Sequence, residues 1–465
     1  MNRIYIKDLK EHLTSEVVVK GWVDIRRDHG KLIFLDLRDM TGKVQMVALP
    51  NHIEAVDVAS KLRTEWVIEV RGLVNVRPAK MVKEGLNGDL EIEILEIKIL
   101  NEAQTVPLDV TTDGHEIGEE TRLAYRYLDL RRPRLQRNMR MRHAITLHIR
   151  NFLAQKGFIE VETPILTKST PEGARDYVVP SRVEPGKFYA LPQSPQQYKQ
   201  LLMVGGMERY FQIARCMRDE DTRGDRQPEF TQLDMELSFA SQEEIMNLNE
   251  QLLIEIVQKL APEKRIQTIP FPRITYKEAM EKYGNDRPDM REDKSDENLL
   301  AFCWVIDFPF FEKDKEGGWT FTHNPFSAPK EEYYDSLMKK EDIGGIIATQ
   351  YDVALNGFEI GGGSVRNHRP EALIKVLEIM GHTEENIRKN FGHMLDAFSY
   401  GAPPHGGIAW GLDRFVTLLL GEPNIREVIA FPKTGEGRDL MMEAPSEVSL
   451  AQLQELGISI QKKAK

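Results

Sequence analysis

The chain has 465 residues, 41% hydrophobic and 29% charged, which is ordinary globular usage at a length for two or three domains. A net charge of −11 excludes wholesale coating of a nucleic acid, so a polyanion partner would have to be held by local patches. Two cysteines, Cys216 and Cys303, exclude a disulfide framework and a cysteine-rich zinc centre; with no signal-like N-terminus and no 18-residue apolar run, a cytoplasmic protein without membrane contact is expected.

Residues 1–103 carry five alternating or apolar stretches, at 17–25, 32–37, 44–47, 66–72 and 90–97, with a helix at 53–62 after the third. That order predicts an OB-fold, a five-stranded barrel that binds oligonucleotides across its second and third strands. The binding face would hold Phe34 for base stacking and Gln45 for base edges, flanked by Arg26, Arg27, Lys31, Arg38 and Lys43 for phosphates. Phe34 reads equally well as barrel core, with the cations as a solvated rim. Residues 104–134 are polar and punctuated by proline and glycine, and read as a hinge, although Leu123–Leu130 is too apolar for simple disorder.

A helix is predicted from Arg142, with Ile145, Ile149, Phe152 and Leu153 on one stripe and Gly157 as its stop. The extended stretch after it contains Pro164, which confines it to a sheet edge or a two-fold interface. A loop bearing Glu172 follows and could gate a pocket. Ser194-Pro195 starts a helix whose polar face carries Gln196, Lys199 and Gln200. Next comes a long antiparallel hairpin, 210–239, with Arg218 at one rim and Asp234 and Glu236 on a polar face. Residues 241–302 read as helices and an acidic bridge at 286–298, followed by a buried strand at Trp304 and a turn holding His323, a lone histidine that is more often structural than catalytic.

Asp352 and Glu359 sit in β-like sequence and converge only if the chain bends between them, which Asn356-Gly357 supplies. Two carboxylates beside Gly361-Gly362-Gly363 suit a Mg²⁺ shared with a nucleotide. Gly406 to Gly421 reads as a glycine-rich strand entering an apolar helix, with Arg414 at the positive end of the helix dipole, a place for polyphosphate. No GxxxxGK[ST] loop or HExxH pair occurs, so P-loop hydrolysis and zinc proteolysis drop out.

Together these stretches resemble a class II aminoacyl-tRNA synthetase. Gly157-Phe-Ile-Glu-Val-Glu-Thr-Pro164 is similar to motif 1 of that class, Arg218-Asp-Glu through Arg226-Gln-Pro-Glu-Phe-Thr-Gln to motif 2, and Gly411-Leu-Asp-Arg414 to motif 3. Tyr127-Leu-Asp-Leu-Arg-Arg-Pro, Pro171-Glu-Gly-Ala-Arg-Asp-Tyr, Gln193-Ser-Pro-Gln and Ala430-Phe-Pro-Lys point within the class to the bacterial aspartyl-tRNA synthetases. The resemblance implies an α+β multidomain fold: an OB-fold anticodon-binding domain at 1–103, a hinge at 104–134, and a catalytic domain at 135–465 built on an antiparallel sheet flanked by helices.

It also implies the activity, an aspartate–tRNA ligase that makes aspartyl-adenylate from L-aspartate and ATP and passes it to the 3′ end of tRNA(Asp), working as a homodimer that binds no DNA. Arg218, Glu359 and Arg414 would be catalytic. Aspartate would be bound by Glu172, Gln196, Gln197, Tyr198, Lys199, Arg218, Asp234, His323 and Arg366. ATP would meet Arg218, Asp219, Glu220, Gln227, Glu359, Gly411, Leu412, Asp413 and Arg414, with Mg²⁺ on Asp352 and Glu359. The anticodon would meet Arg27, Phe34, Gln45 and Glu93, and Pro164 would lie at the dimer interface. With Lys199 and Arg366 on the substrate's side-chain carboxylate, asparagine would leave two buried cations unpaired, worth about 10²- to 10⁴-fold in selectivity.

Two departures stand out. Bacterial-type relatives carry an extra domain between motifs 2 and 3, which here is reduced to the bridge at 286–298. His29 stands where relatives restricted to tRNA(Asp) tend to have leucine, so tRNA(Asn) is expected as a second substrate, although Lys80 pulls toward the strict, tRNA(Asp)-only alternative. Three rivals are weaker. An asparagine-synthetase-like paralogue would lack the barrel, a non-catalytic RNA-binding module would lose Arg218, Glu359 or Arg414, and an asparaginyl-tRNA synthetase fits the motifs less well.

Overall fold

The computed structural model describes residues 2–169, 173–222 and 224–461. They divide into two compact units that meet in sequence at Ile117 and Gly118.

The first unit is a closed barrel of β1 (Glu16–His29), β2 (Leu32–Arg38), β3 (Lys43–Ala48), β4 (Val67–Val76) and β5 (Leu90–Asn101), with α1 (Ile53–Lys61) after β3. Its strand order is β1-β2-β3-β5-β4, and β3 and β5 are its parallel pair. Period-two alternation sends Ile33, Leu35 and Leu37 inward, so Phe34 stands on the outer surface, half-buried. The reading of Phe34 as core is therefore overturned. Arg38, expected among the phosphate-facing cations, is also corrected: it is 7% exposed and paired with Asp24 (2.6 Å) and both oxygens of Glu65 (2.8 Å).

The second unit begins earlier than the catalytic region expected from 135. Residues Glu119–Ala124 and Arg126–Asp129 are helical, and Arg122, Arg126 and Asp129 are buried. Arg122 forks onto Glu427 at 3.0 and 2.6 Å, while Asp129 receives Arg126 at 2.7 Å and Arg132 at 2.5 Å. Charges at that depth persist only when paired. The half of the expected hinge after Gly118 is thus an ion-paired part of this unit.

The long helix α2 (Pro133–Gln155) starts nine residues before the predicted Arg142, because Pro133 is not a break but the first helical residue, where its missing N–H costs nothing. Its stripe of Ile145, Ile149, Phe152 and Leu153 is buried, and Gly157 ends it at φ 80°. Then follow β6 (Ile159–Glu160), α3 (Gln196–Val204), β7 (Arg209–Met217), β8 (Glu229–Ser238), α4 (Gln242–Leu260), β9 (Arg273–Thr275), β10 (Phe302–Ile306), β11 (Gln350–Leu355), β12 (Phe358–Val365), β13 (His405–Gly411) and α5 (Leu412–Leu420).

Eight of these strands form one sheet in the order β9-β10-β11-β12-β13-β8-β7-β6. The six inner strands are antiparallel as expected, and the outermost ones, β9 and β6, pair in parallel. One sheet face is apolar: Leu233, Met235 and Leu237 join the α2 stripe and Ile245, Leu252 and Ile256 of α4 in the main core. The same alternation turns Gln232, Asp234 and Glu236 to the opposite face, where the site lies. The bridge after residue 284 is held by Gln267, which donates to Met290 O (3.0 Å) and accepts from Glu292 N (2.9 Å). Among the described residues no helix is long and apolar enough to cross a membrane.

Candidate active site

Two joined cavities occupy the polar face of the sheet. One, of about 350 Å3, is walled by Gln196, Lys199, Asp234, His323 and Arg366. The other, of about 230 Å3, is walled by Glu220, Gln227, Gly411, Asp413 and Arg414. Arg218, Glu220, Gln232, Glu359 and Ala409 belong to both, so the sequence-predicted amino-acid and nucleotide groups meet at Arg218, Glu220 and Glu359.

The first cavity rests on a buried four-charge network. Lys199, supplied by α3, lies 2.9 Å from Asp234 Oδ2 and 3.2 Å from Glu236 Oε2. Arg366 clasps Glu236 through Nε (2.9 Å) and its terminal nitrogen (3.1 Å), and its other nitrogen donates to Ser364 Oγ at 2.8 Å. All four are at most 2% exposed. Burial pushes the Glu236 carboxyl up, but Arg366 and Lys199 outweigh it and hold it at about 2. For Asp234 burial wins over Lys199 and lifts the pKa above the ordinary carboxylate value. Gly407 makes room for this network, since a Cβ there would lie 2.1 Å from Glu236 Oε2.

Two buried atoms of this cavity's wall have no partner among the described residues: Asp234 Oδ1 and Gln196 Nε2. The nearby Tyr210 hydroxyl donates instead to Gln212 Oε1 at 2.9 Å. His323 is exposed on the cavity wall, yet the surrounding protein and the charges of Arg366, Arg218 and Lys199 hold its pKa down to about 4. It is neutral at pH 7, able to accept or donate.

The hairpin of β11 and β12 turns at Asn356 (φ 51°) and Gly357 (φ 89°), the paired left-handed conformations of a tight turn whose twist suits a hairpin. Asp352 lies over Gly362, where a Cβ would come within 2.6 Å of its Oδ1 and 3.2 Å of His323 Cε1. Burial and the like charge of Glu359 raise Asp352 well above the usual carboxylate range, opposed by Gln350 Nε2 at 3.3 Å. Two neighbouring carboxyl groups are the hard-oxygen donors a divalent cation takes, although Asp352 lines neither cavity and among the described residues no third ligating side chain joins them.

In the second cavity Arg414 projects from the first turn of α5. It donates to the main-chain oxygen of Glu359 (2.5 Å) and pairs with Asp225 (3.1 Å). Asp413 is held from two directions, by Thr231 N at 2.8 Å and by Arg142 of α2. Arg218 lies over the Phe230 ring at 5.1 Å.

Several expected residues fall elsewhere. Helical rotation carries Gln197 and Tyr198 into an adjoining cavity of about 220 Å3, where they bond His393 (2.7 Å) and Thr167 (3.0 Å). Leu412 is 1% exposed in the core, and Asp219 bridges backbone to backbone with Arg175 at the cavity mouth. Glu172 lies outside the described residues. Because Glu236 and Asp234 already neutralise Lys199 and Arg366, asparagine would not leave these cations unpaired, and the selectivity argument built on that is corrected. Glu236 itself shares the β8 alternation with Asp234, which is the signal that marks it, while Gln193 and Gln350 have no comparable periodic signal.

On the barrel exterior Arg27 pairs with Asp36 (2.8 Å) and reaches Gln45 (3.3 Å), and Glu93 meets His52 (3.0 Å). His29 is exposed at the end of β1, its ring 5.6 Å from that of Phe34, and Lys80 is exposed on a short helical turn. Pro164 is exposed beyond β6, next to the exposed Ile165 and Leu166.

Comparison with known proteins places these features. Residues 118–435 match the family model of tRNA synthetases class II (D, K and N), and residues 17–100 that of the OB-fold nucleic acid binding domain. An aspartate–tRNA ligase of Staphylococcus saprophyticus is 40% identical, with 96% of this chain and 97% of that protein covered. An aspartate–tRNA(Asp/Asn) ligase of Rubrobacter xylanophilus is 42% identical, covering 96% and 94%. Those alignments span 575 and 571 positions against 465 residues here, so each relative has more than a hundred positions without counterpart in this chain. Among solved structures, asparaginyl-tRNA synthetase from Pyrococcus horikoshii matches with TM-score 0.75 at 24% identity, covering 93% of this chain and 98% of that one. Aspartyl-tRNA synthetase from Entamoeba histolytica matches with TM-score 0.73 at 23% identity, covering 93% and 91%. At these identities the likeness is one of fold.

Proposed function

The chain belongs to the class II tRNA synthetases, as a member of the aspartate–tRNA ligases, and we propose that its two joined cavities hold L-aspartate and ATP, with transfer to tRNA(Asp) and tRNA(Asn). The observation that carries the substrate assignment is the pair of orphaned atoms. Asp234 Oδ1 accepts nothing and Gln196 Nε2 donates nothing in the described structure, side by side with two buried cations. An α-amino acid brings an ammonium for the first and a carboxylate oxygen for the second, while Lys199 and Arg366 are already paired with Asp234 and Glu236. Left empty, each orphan costs about 1–3 kcal/mol of desolvation, which the substrate's own groups recover.

Arg218, at the junction, grips the α-phosphate while the aspartate carboxylate attacks it. Arg414, fixed through Glu359 O and Asp225, holds the far end of the triphosphate. Asp352 and Glu359 would hold Mg²⁺, which offsets charge on the departing diphosphate. No side chain forms a covalent bond with the substrate, so positioning carries the rate. The terminal ribose hydroxyl of the tRNA then attacks the carbonyl of the aspartyl-adenylate, forming the ester as the acyl–phosphate bond breaks and AMP leaves.

On the barrel, Phe34 offers a stacking surface, with Arg27, Gln45 and Glu93 around it for the anticodon. His29 beside Phe34, together with the Asp/Asn naming of the Rubrobacter relative, supports acceptance of tRNA(Asn). The exposed Ile159, Ile165 and Leu166 around Pro164 suit burial against a second copy, and the chain's cytoplasmic placement follows the same reading. The absent hundred-odd positions are assigned to the bridge at 286–298.

The test is aspartate-dependent exchange of labelled diphosphate into ATP, followed by charging of tRNA(Asp) and tRNA(Asn) transcripts with wild type and His29→Leu. Exchange with both tRNAs charged, and a selective loss of tRNA(Asn) in the variant, is expected. Charging of tRNA(Asp) alone would make the enzyme strict and remove His29 as a determinant.

A further inference from the structure

Residues 190–193 run as a rail between two parts of the site. On one side Thr167 and Ala190 exchange backbone hydrogen bonds (3.0 and 2.8 Å), and Leu191 N donates to Tyr177 O at 2.8 Å. On the other, Met217 N donates to Pro192 O at 2.9 Å, and Arg218 Nε reaches Gln193 O at 3.4 Å. The backbone ladder to the loop cannot continue through Pro192, which has no N–H.

The Gln193 side chain takes over there. Its Oε1 accepts from Ala174 N at 3.0 Å, and its Nε2 donates to Ala174 O at 2.8 Å and to Asp176 Oδ1 at 2.5 Å. A primary amide offers a donor and an acceptor in one plane, so it replaces a missing strand partner. The orientation is set by chemistry, since only Oε1 can face an N–H and only Nε2 can face two acceptors. Gln193 is 4% exposed, which keeps water from competing for these bonds. The stretch it pins matters because Gly173 and Ala174, with Gln193 itself, wall the same cavity as Lys199, Asp234 and Arg366. Gln193 and Ala174 do not line the second cavity.

Resting on the reading of the first cavity as the aspartate site, we propose that Gln193 is a positioning residue for that substrate: its amide pins the 173–176 wall to the rail and so sets affinity for aspartate with little effect on ATP. The experiment is steady-state diphosphate exchange with the full chain, comparing wild type, Gln193→Leu and Asp176→Ala, with melting temperatures measured in parallel. Leucine is close in volume and deletes all three bonds, so KM for aspartate is expected to rise about 10- to 100-fold, with KM for ATP and kcat within about threefold. Asp176→Ala, on a partly exposed loop residue, deletes the bond from Gln193 Nε2 and the one from Ser169 Oγ, and is expected to raise KM for aspartate about three- to tenfold. A purely structural role would lower the melting temperature and shift both KM values alike, and that result overturns the proposal. An unchanged aspartate KM in either variant overturns it too, and Asp176→Ala decides the matter should Gln193→Leu fail to fold. Absence of aspartate-dependent exchange in the wild type would instead defeat the reading of the cavity on which the proposal rests.

Discussion

Replacing Asp234 by asparagine separates substrate recognition from stability. The carboxylate is 1% exposed; Oδ2 receives Lys199 at 2.9 Å and Oδ1 receives nothing. Asparagine keeps the shape and an oxygen for Lys199, and Glu236 remains 3.2 Å from that ammonium, so no cation is stranded. Burial lifts the Asp234 pKa, which means that ionising it costs folding energy that asparagine removes. The losses and gains largely offset, and stability is expected to stay within about 1 kcal/mol of wild type. Binding should change far more. Losing a charged hydrogen bond to the substrate ammonium costs about 1.5–3 kcal/mol, or roughly 10- to 150-fold in KM for aspartate. The assay is diphosphate exchange for aspartate, with inhibition by succinate, which keeps both carboxylates and lacks the amine, and urea unfolding for stability. Succinate should inhibit variant and wild type about equally. If its inhibition weakens as much as aspartate's KM rises, Asp234 is not the ammonium partner, and a stability loss above about 3 kcal/mol would show that the network tolerates no neutral residue there.

Gly362→Ala should displace Asp352, whose Oδ1 a Cβ would meet at 2.6 Å, and raise the Mg²⁺ concentration for half-maximal exchange by about tenfold or more, as read from a metal titration. The pH dependence of stability carries the sign of Glu236. Its folded pKa of about 2 lies below its ordinary 4.5, so its contribution is fully present above about pH 4.5 and drains away as the pH falls toward 2; Glu236→Gln should flatten that acid slope in chemical denaturation, and an unchanged slope would place it on other carboxylates. Phe34→Ala should raise KM for tRNA without altering KM for aspartate, and cost less than about 1.5 kcal/mol because the ring is half-buried outside the barrel core; a loss of 3 kcal/mol or more would return it to the core.

Period and punctuation made much of this protein legible in one dimension. Alternation within 229–238 sorts Leu233, Met235 and Leu237 from Gln232, Asp234 and Glu236, because a strand has two faces whatever sheet it joins. Asn356-Gly357 marks the bend that brings Asp352 toward Glu359, since few residue pairs accept two left-handed conformations. The ordered motifs identify the family before any coordinate is known. Local chemistry also misleads where it has two meanings: Arg131-Arg-Pro reads as a break, while Pro133 in fact opens a helix.

Tertiary structure decided what pairing and depth decide. Whether Arg38 faces RNA or a buried Asp24 and Glu65, whether 118–132 is a hinge or an ion-paired element on Glu427, and whether Lys199 and Arg366 await a substrate or are already neutralised depend on residues tens to hundreds of positions away. Gln193 shows the same limit, because an amide that substitutes for a strand partner has no period and no spacing. Local propensity is written in neighbours along the chain; burial and electrostatic pairing are properties of neighbours in space, which exist only once the chain has folded.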